Sequence, residues 1–587
     1  MKKSCILVFL FAFLTLTCLA APSMRLPLSF DYYYTYEMVN DALKALHEAY
    51  PHLTHLDLVG KSEEGRSIYC LTINNPKTGK ELDKPGIYLD GNIHGNELQG
   101  TEVTLYLIQY LLTGYGSNRE IADLVDKKCF YVVPVVNTDG RHHFFTDAND
   151  SDSGRSLRVP MDDDKDGLFD EDAYDDLDGD GNICQMRKHD PFGRFKTDAE
   201  DPRLMVPVKP GEKGEWTILG SEGIDNDRDG MVNEDEPGYV DANRNWGYDW
   251  MPDYVQPGAG EYPFSGVGLK ALAGFIRQRP NICMAWAFHN FGGMFLRGPS
   301  TKAQPEYHPQ DVAFYDYLGE QSERIVPDYK YMVLWKDLYE TYGDFTEWMY
   351  MVNGIYGFVA ELSVMKHESF KSLKEKKEQA RTEGEEDAFS MFRQSPARER
   401  ERLKFNDHLA NGEMFVNWRP YKHPVYGAIE IGGWSKFSTR LPHRFMLKDL
   451  VHRLTSAIIF SAKQTPEVSL EIFDTTKLGD NLYRVRTRLT NAKAMPTMNQ
   501  HARSAKIYPP DMLTLSGQGI TVTAGGQLMD PYTDQVLYKE FRPGIQFLSI
   551  PGFAKIEHQF LVTGKGKLTI TYESQHAGRI SKDIDLQ

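Results

Sequence analysis

The sequence predicts an α/β protein with a mixed open sheet and helices on both faces, followed by a small all-β sandwich. Three observations carry this. Short apolar runs bounded by turn residues alternate with segments of helical period up to about residue 465, as buried strands with crossover helices do. After Gln464-Thr-Pro466 the pattern changes to apolar/polar alternation with Gly-rich turns between, which suits antiparallel strands. The chain of 587 residues also exceeds one domain of about 100 to 200 residues, so two domains, 21–465 and 466–587, are expected after a leader at 1–20.

Met-Lys-Lys and the apolar run from Cys5 to about Leu19, closing on Cys-Leu-Ala-Ala-Pro, have the form of a secretory signal, with the mature chain starting near Ala21. The run is too short and wrongly flanked for a membrane span, which needs about 20 apolar residues, and no second candidate follows. A secreted or periplasmic protein is expected. The rival, a surface lipoprotein anchored through Cys18, is disfavoured by Thr17 before it.

From Tyr32 to Tyr50 the helical spacing of Met38, Leu43 and Leu46 predicts a helix that Pro51 ends. Strands are predicted at Ser67 to Ile73, Gly86 to Asp90, Cys129 to Val136, Ile282 to Phe288 and Ile355 to Leu362, and helices at Val103 to Leu112 and about Phe445 to Ala462. Met365 to about Asn411, within a charged insertion of about 365–420, reads as exposed helices. Gln464-Thr-Pro466 reads as a linker, and the alternation in Leu482 to Leu489 and Lys567 to Tyr572 as sandwich strands. Of Cys70, Cys129, Cys184 and Cys283, three lie in strand-like runs as small hydrophobes; an exported chain could also pair the four, with three possible connectivities.

The net charge of −17 is local. Asp162 to Asp180 holds 11 acids and one Lys, and Asp225 to Glu236 six acids and one Arg, so two short loops supply 15 of the 17 negative charges. The near-neutral remainder argues against nucleic-acid binding. Both loops fall within an insertion at about 150–238, where the unit Asp-x-Asp-x-Asp-Gly occurs three times: Asp162, Asp164, Asp166; Asp176, Asp178, Asp180; and Asp225, Asp227, Asp229. Asp170 and Asp172 follow the first, and Asn233 and Asp235 the last. Alternate carboxylates fold around one hard cation while the glycine permits the turn, so structural calcium is expected, although the bidentate Glu of a full EF-hand loop is missing.

His94 and Glu97 stand three apart where an apolar strand stops, in Asp-Gly-Asn-Ile-His-Gly-Asn-Glu. An imidazole and a carboxylate so placed form half of a zinc site, and a third ligand must come from elsewhere. Val240-Asp-Ala-Asn-Arg-Asn-Trp sets an amide and a guanidinium side by side at Asn243 and Arg244, suited to a carboxylate. His289 and Glu361 end two further apolar strands, where open α/β sheets build their sites.

In the order His-x-x-Glu, Asp-x-Asn-Arg-Asn, His, Tyr, Glu, residues 30 to 465 resemble the zinc carboxypeptidase family of the pancreatic carboxypeptidase A type. The resemblance implies that His94, Glu97 and His289 hold one catalytic zinc and that Asp241 orients a ligand histidine. It implies that Asn243 and Arg244 grip the C-terminal carboxylate of a peptide, and that Glu361 is the general base of zinc-assisted water attack, returning the proton to the leaving amine. Counting back from Glu361 puts the family's capping tyrosine on Tyr339, with Tyr342 close by. The arginine that steadies the oxyanion falls on Arg155, with Arg158 as alternative. The position that tunes the side-chain pocket falls near the neutral Thr346, beside Glu347, and no propeptide fits before Tyr32. The expectation is an exported zinc exopeptidase acting on peptide or protein C-termini. Its rivals are a zinc amidase of cell-wall peptides and a non-catalytic, calcium-stabilised surface binding protein.

Overall fold

The computed structural model describes residues 26–162, 167–363, 395–530 and 532–587; the expected leader, Cys18, Asp164 and Asp166 lie outside them. Its centre is an eight-stranded sheet in the order Thr54–Lys61, Ser67–Ile73, Cys129–Val133, Gly86–Gly91, Ile282–Asn290, Tyr356–Leu362, Met294–Arg297, Lys330–Val333. The four middle strands run parallel and are flanked by antiparallel pairs on both sides, while the two last strands, Met294–Arg297 and Lys330–Val333, pair parallel to each other. Gly86–Gly91, Cys129–Val133 and Ile282–Asn290 are buried at every position, which is why they read as continuous apolar runs.

Alternate residues of these strands enter different cores. Ile87, Leu89, Trp286, Phe288 and Phe358 face one core with the helices Gln99–Tyr115, Pro309–Ile325 and Leu447–Lys463, while Tyr88, Ala285, Ala287 and Val359 face the other with Val267–Arg277. The first helix, Tyr36–Ala49, starts later than predicted because Thr35 caps it, accepting from the Met38 N–H, and it buries Val39, Ala42, Leu43 and Leu46 as one stripe.

The insertion at 150–238 is more than loops. Gln185–His189, Phe195–Thr197, Met205–Pro207 and Trp216–Ser221 join Phe415–His423 and Gly427–Trp434 in a six-stranded antiparallel sheet that the sequence reading missed. Arg187 clamps it, its guanidinium 4.1 Å from the Trp216 ring and 4.0 Å from the Trp418 ring, and paired with Glu430 at 2.6 Å. The charged insertion also differs from the expected exposed helices. Residues 364–394 lie outside the described set, and the helix Pro396–His408 buries Arg402, Leu403, Phe405 and Asn406 instead of standing exposed. Residues 415–420 belong to a strand.

The C-terminal region is all-β apart from the short helix Gln500–Ala505, with a five-stranded and a four-stranded antiparallel sheet closing on a core of Val485, Leu513, Phe560, Val562, Ile570 and Tyr572. Gln464 to Pro466 is a packed joint and not a free tether. Thr465 is fully buried, and the Lys128 ammonium donates to the carbonyls of Thr465 and Pro466 at 3.2 and 2.8 Å. The buried Asp311 carboxylate ties the two regions, accepting from Tyr350 and Tyr356 hydroxyls at 2.8 and 3.0 Å and from the Gln500 and His501 N–H groups at 2.9 Å each. Cys70, Cys129, Cys184 and Cys283 are free and buried. No described helix is long and apolar enough to cross a membrane.

Candidate functional site

The central sheet delivers the site at the carboxyl ends of three adjacent parallel strands. His289 and Glu361 are direct partners across the pair Ile282–Asn290 and Tyr356–Leu362, and Gly91, which ends the next strand, pairs with Phe288. The turn after Gly91 carries His94 and Glu97. Asn92 shapes it from a left-handed conformation, φ 57°, its amide donating to the carbonyls of His94 and Gly95 at 2.6 and 3.0 Å. Arg141, fully buried against Glu102 at 2.7 Å, donates in turn to Asn92. At Gly95 a Cβ would fall 2.1 Å from the Gly154 carbonyl oxygen, so only glycine lets this turn seat on the Arg155 loop.

His94, Glu97 and His289, all buried, bring one ligand atom each within 4.8 Å of one another. Glu97 Oε1 is 2.9 Å from His94 Nδ1, Oε2 is 3.1 Å from His289 Nδ1, and the two imidazole nitrogens are 3.3 Å apart. Zinc bonds of about 2.1 Å at tetrahedral angles put donor atoms about 3.4 Å apart, so this set of two imidazoles and one carboxylate fits zinc in chemistry and spacing. The outer groups fit as well. Asp241 accepts from His94 Nε2 at 2.9 Å, leaving Nδ1 free as a ligand, and the Asn290 N–H orients Glu97 at 3.1 Å. Burial alone would raise the Glu97 and Asp241 carboxyls, but the histidines at Glu97, and His94, Arg155 and Arg244 at Asp241, hold both well below the usual carboxylate range.

A cavity of about 300 Å³ opens on this cluster, lined by Arg155, Asn243, Arg244, Tyr339, Thr346, Glu361 and Arg440 among others. Arg155 reaches Asp241 at 3.0 Å and Glu97 at 2.9 Å, whereas Arg158 turns away to Glu64 at 2.8 Å. An isolated bridge between Leu157 and Val240 ties the ends of the insertion together, which sets Arg155 beside Asp241. Asn243 is held by the Phe345 N–H at 2.9 Å, and Arg244 donates to the Asn243 carbonyl at 2.8 Å. Tyr339 lines the cavity and is 44% exposed; Tyr342 does not line it. Thr346 and Asp344 face the cavity, while Glu347 is buried behind them against the Tyr307 hydroxyl. Burial pushes the Glu361 carboxyl up to about 7, with Glu97 adding to the rise and His289, Arg155 and Arg440 opposing it.

The acidic loops assemble differently from three self-contained units. Asp172 meets Asp225 and Asp227, Asp176 and Asp178 meet Glu222, and Asp227 and Asp229 meet Glu234. Glu222 and Glu234, which fall outside the repeated unit, were missed by the sequence reading. Asp162, Asp170, Asp180 and Asp235 stay in the same loops but enter none of these carboxylate groups among the described residues. Asp162 and Asp180 accept backbone N–H groups of their own turns, from Gly167 and Asn182, Asp170 accepts from Met161, and Asn233 donates to the Ser221 carbonyl.

The family model described as Zinc carboxypeptidase matches residues 39–177 and 219–390, more than half of the chain. The chain belongs to the zinc carboxypeptidase family. Members of this family are hydrolases, and the gap in the match, 178–218, holds the first three strands that the insertion contributes to the six-stranded sheet and the start of the fourth. Human carboxypeptidase D is 37% identical over 119 residues, 20% of this chain and 9% of that protein. Human carboxypeptidase A6 is 23% identical over 344 residues, 57% of this chain and 61% of that protein. Each match spans under two thirds of the relative's own length. The crystal structure of the carboxypeptidase A from Helicoverpa armigera aligns with a TM-score of 0.40 at 20% identity, covering 59% of this chain and 68% of that one. Residues 467–585 match a domain of unknown function, DUF8731.

Proposed function

We propose that this chain is an exported zinc carboxypeptidase that removes C-terminal residues from peptides or proteins. The observation that carries the reading is the convergence of His94, Glu97, His289, Glu361 and Arg244 on one cavity. Zinc held by the two histidines and Glu97 would supply Lewis acidity to the scissile carbonyl and to an attacking water. Arg244 and Asn243 bind the substrate's terminal carboxylate by charge-assisted hydrogen bonds, and Tyr339, on the rim, covers it. This fixes which bond is cut, because only the last peptide bond then reaches Glu361. Arg155 turns an N–H toward the carbonyl oxygen as charge develops there. Glu361 takes the proton of the attacking water and hands it to the departing amine; its raised affinity for protons suits both halves of that transfer.

Calcium belongs to the same proposal as a brace. The three acidic groups present oxygen-only donors, and the fully buried Glu222, whose oxygens also accept from the Leu177, Asp178 and Cys184 N–H groups, anchors one of them. The leader-like residues 1–20 support export, and an all-β region following the catalytic part supports a two-domain division near residue 466.

The test is release of free amino acids from a mixed peptide library by the mature chain, with and without a zinc chelator, beside Glu361→Gln. Chelator-sensitive release that the substitution lowers by at least about 10³-fold is expected, the scale of losing both proton transfer and the charge beside the reacting water. No release by folded, zinc-loaded protein would move the assignment to the cell-wall amidase or the binding protein.

A further inference from the structure

Three guanidinium groups among the described residues line the cavity, and two are accounted for by the proposed reaction. Arg155 is bound to Asp241 and Glu97, and Arg244 stands beside Asn243. The third, Arg440, lies outside the residues that the family model matches and comes from the loop after the strand Gly427–Trp434. Its backbone carbonyl accepts from the Asn290 amide at 3.3 Å and its guanidinium carbon sits 5.7 Å from the Phe291 ring, so it stands over the end of the His289 strand. Its acidic partner is Asp152, whose side chain is 65% exposed, at 2.6 Å. Arg440 itself is only 22% exposed, so the solvated Asp152 is the half of the pair that another carboxylate could replace.

Position decides what that carboxylate is. Arg244 and Asn243 are joined through Phe345 to the wall that carries Thr346, whereas Arg440 rests on Asn290, Phe291 and the loop at Asp152. Arg440 lines the same cavity and lies within electrostatic reach of Glu361, so it stands near the reacting bond.

We propose that Arg440 contacts substrate and selects peptides with a carboxylate side chain just N-terminal to the residue removed. The inference rests on the carboxypeptidase reading. A charge-assisted pair in a partly desolvated cavity favours Glu over Gln at that position by about 10-fold in kcat/KM.

The experiment measures kcat/KM of the zinc-loaded full chain on peptides that differ only in Glu, Gln or Lys at the residue before the one removed, with Arg440→Gln, Arg440→Lys and Asp152→Asn alongside. Wild type is expected to prefer Glu by about 10-fold, Arg440→Gln to bring the ratio near one, Arg440→Lys to keep part of it, and Asp152→Asn to raise it. Equal wild-type rates on Glu and Gln, or a preference that Arg440→Gln leaves intact, overturns the inference while release itself upholds the carboxypeptidase. No release from any of the peptides instead overturns the carboxypeptidase reading, and this inference with it. Should Arg440→Gln fail to fold, Asp152→Asn decides: an unchanged ratio there overturns the assignment.

Discussion

Replacing Asp241 by Asn tests whether the network around the ligands, and not the ligands alone, makes the metal site. One Asp241 oxygen takes His94 Nε2 at 2.9 Å and the Asn243 N–H at 2.7 Å, and the other takes Arg155 at 3.0 Å. An amide keeps a single oxygen. Turned one way, its NH₂ faces Arg155; turned the other, it faces the His94 and Asn243 donors. Either way donors oppose donors in a buried site, and the negative charge that fixes the His94 tautomer is gone. Loss of such an outer partner costs 10- to 100-fold in metal affinity or activity, and with both orientations unfavourable we expect about 100-fold, or about 2.7 kcal/mol. The assay is zinc competition with a chromophoric chelator, with kcat/KM on a good peptide in parallel and circular dichroism to confirm the fold. A folded Asp241→Asn protein that holds zinc within about twofold of wild type would refute the reasoning, since the ligand set alone would then suffice.

Three further outcomes are expected. Arg244→Met should lower kcat/KM by about 10²- to 10³-fold with zinc content unchanged, because the substrate carboxylate loses its charged partner; stopped assays with a single peptide series check this. Burial, reinforced by Asp178, pushes the Glu222 carboxyl up from 4.5 to about 7, so the unfolded state gives up its proton first and stability falls as pH rises across that window; calorimetry in chelator should show this fall and added calcium should remove it. With 1 mM calcium and a Kd of about 10 µM at the Glu222 group, the cation adds about 2.7 kcal/mol, and Asp176→Asn in that group should weaken this gain. Asp311→Ala strands two tyrosine hydroxyls and two backbone N–H groups in a buried joint and should cost about 3 to 5 kcal/mol, read as a lower denaturant midpoint with the metal affinity retained.

The central strands and the residues at their ends were legible in the sequence for one physical reason. A parallel strand covered on both faces is largely apolar, so the polar residues at its carboxyl end stand out: His289 and Glu361 at the penultimate positions of their strands, and His94 and Glu97 in the turn after Gly91. The strand Thr54–Lys61 lies at the sheet edge, half open to solvent, and lacks that contrast. The six-stranded sheet was hidden because strands as short as three residues leave no periodic signal, and because Met186 pairs with Ile431, more than 200 positions away. Arg155 and Arg158 were both open in the sequence; only the bridge at Leu157 and Val240 sends one to the cluster and the other to Glu64. Arg440, Glu222 and Asp311 belong to no motif and matter only through what folding places against them.

The most direct measurement compares one peptide with a free C-terminal carboxylate to the same peptide as its C-terminal amide, followed by mass spectrometry in the presence of zinc. The account predicts that the free peptide loses single residues from its C-terminus in succession while the amide is cut at least about 100-fold more slowly, because Arg244 and Asn243 are left without a charge to bind. Internal cleavage, or equal rates on the two peptides, would contradict it.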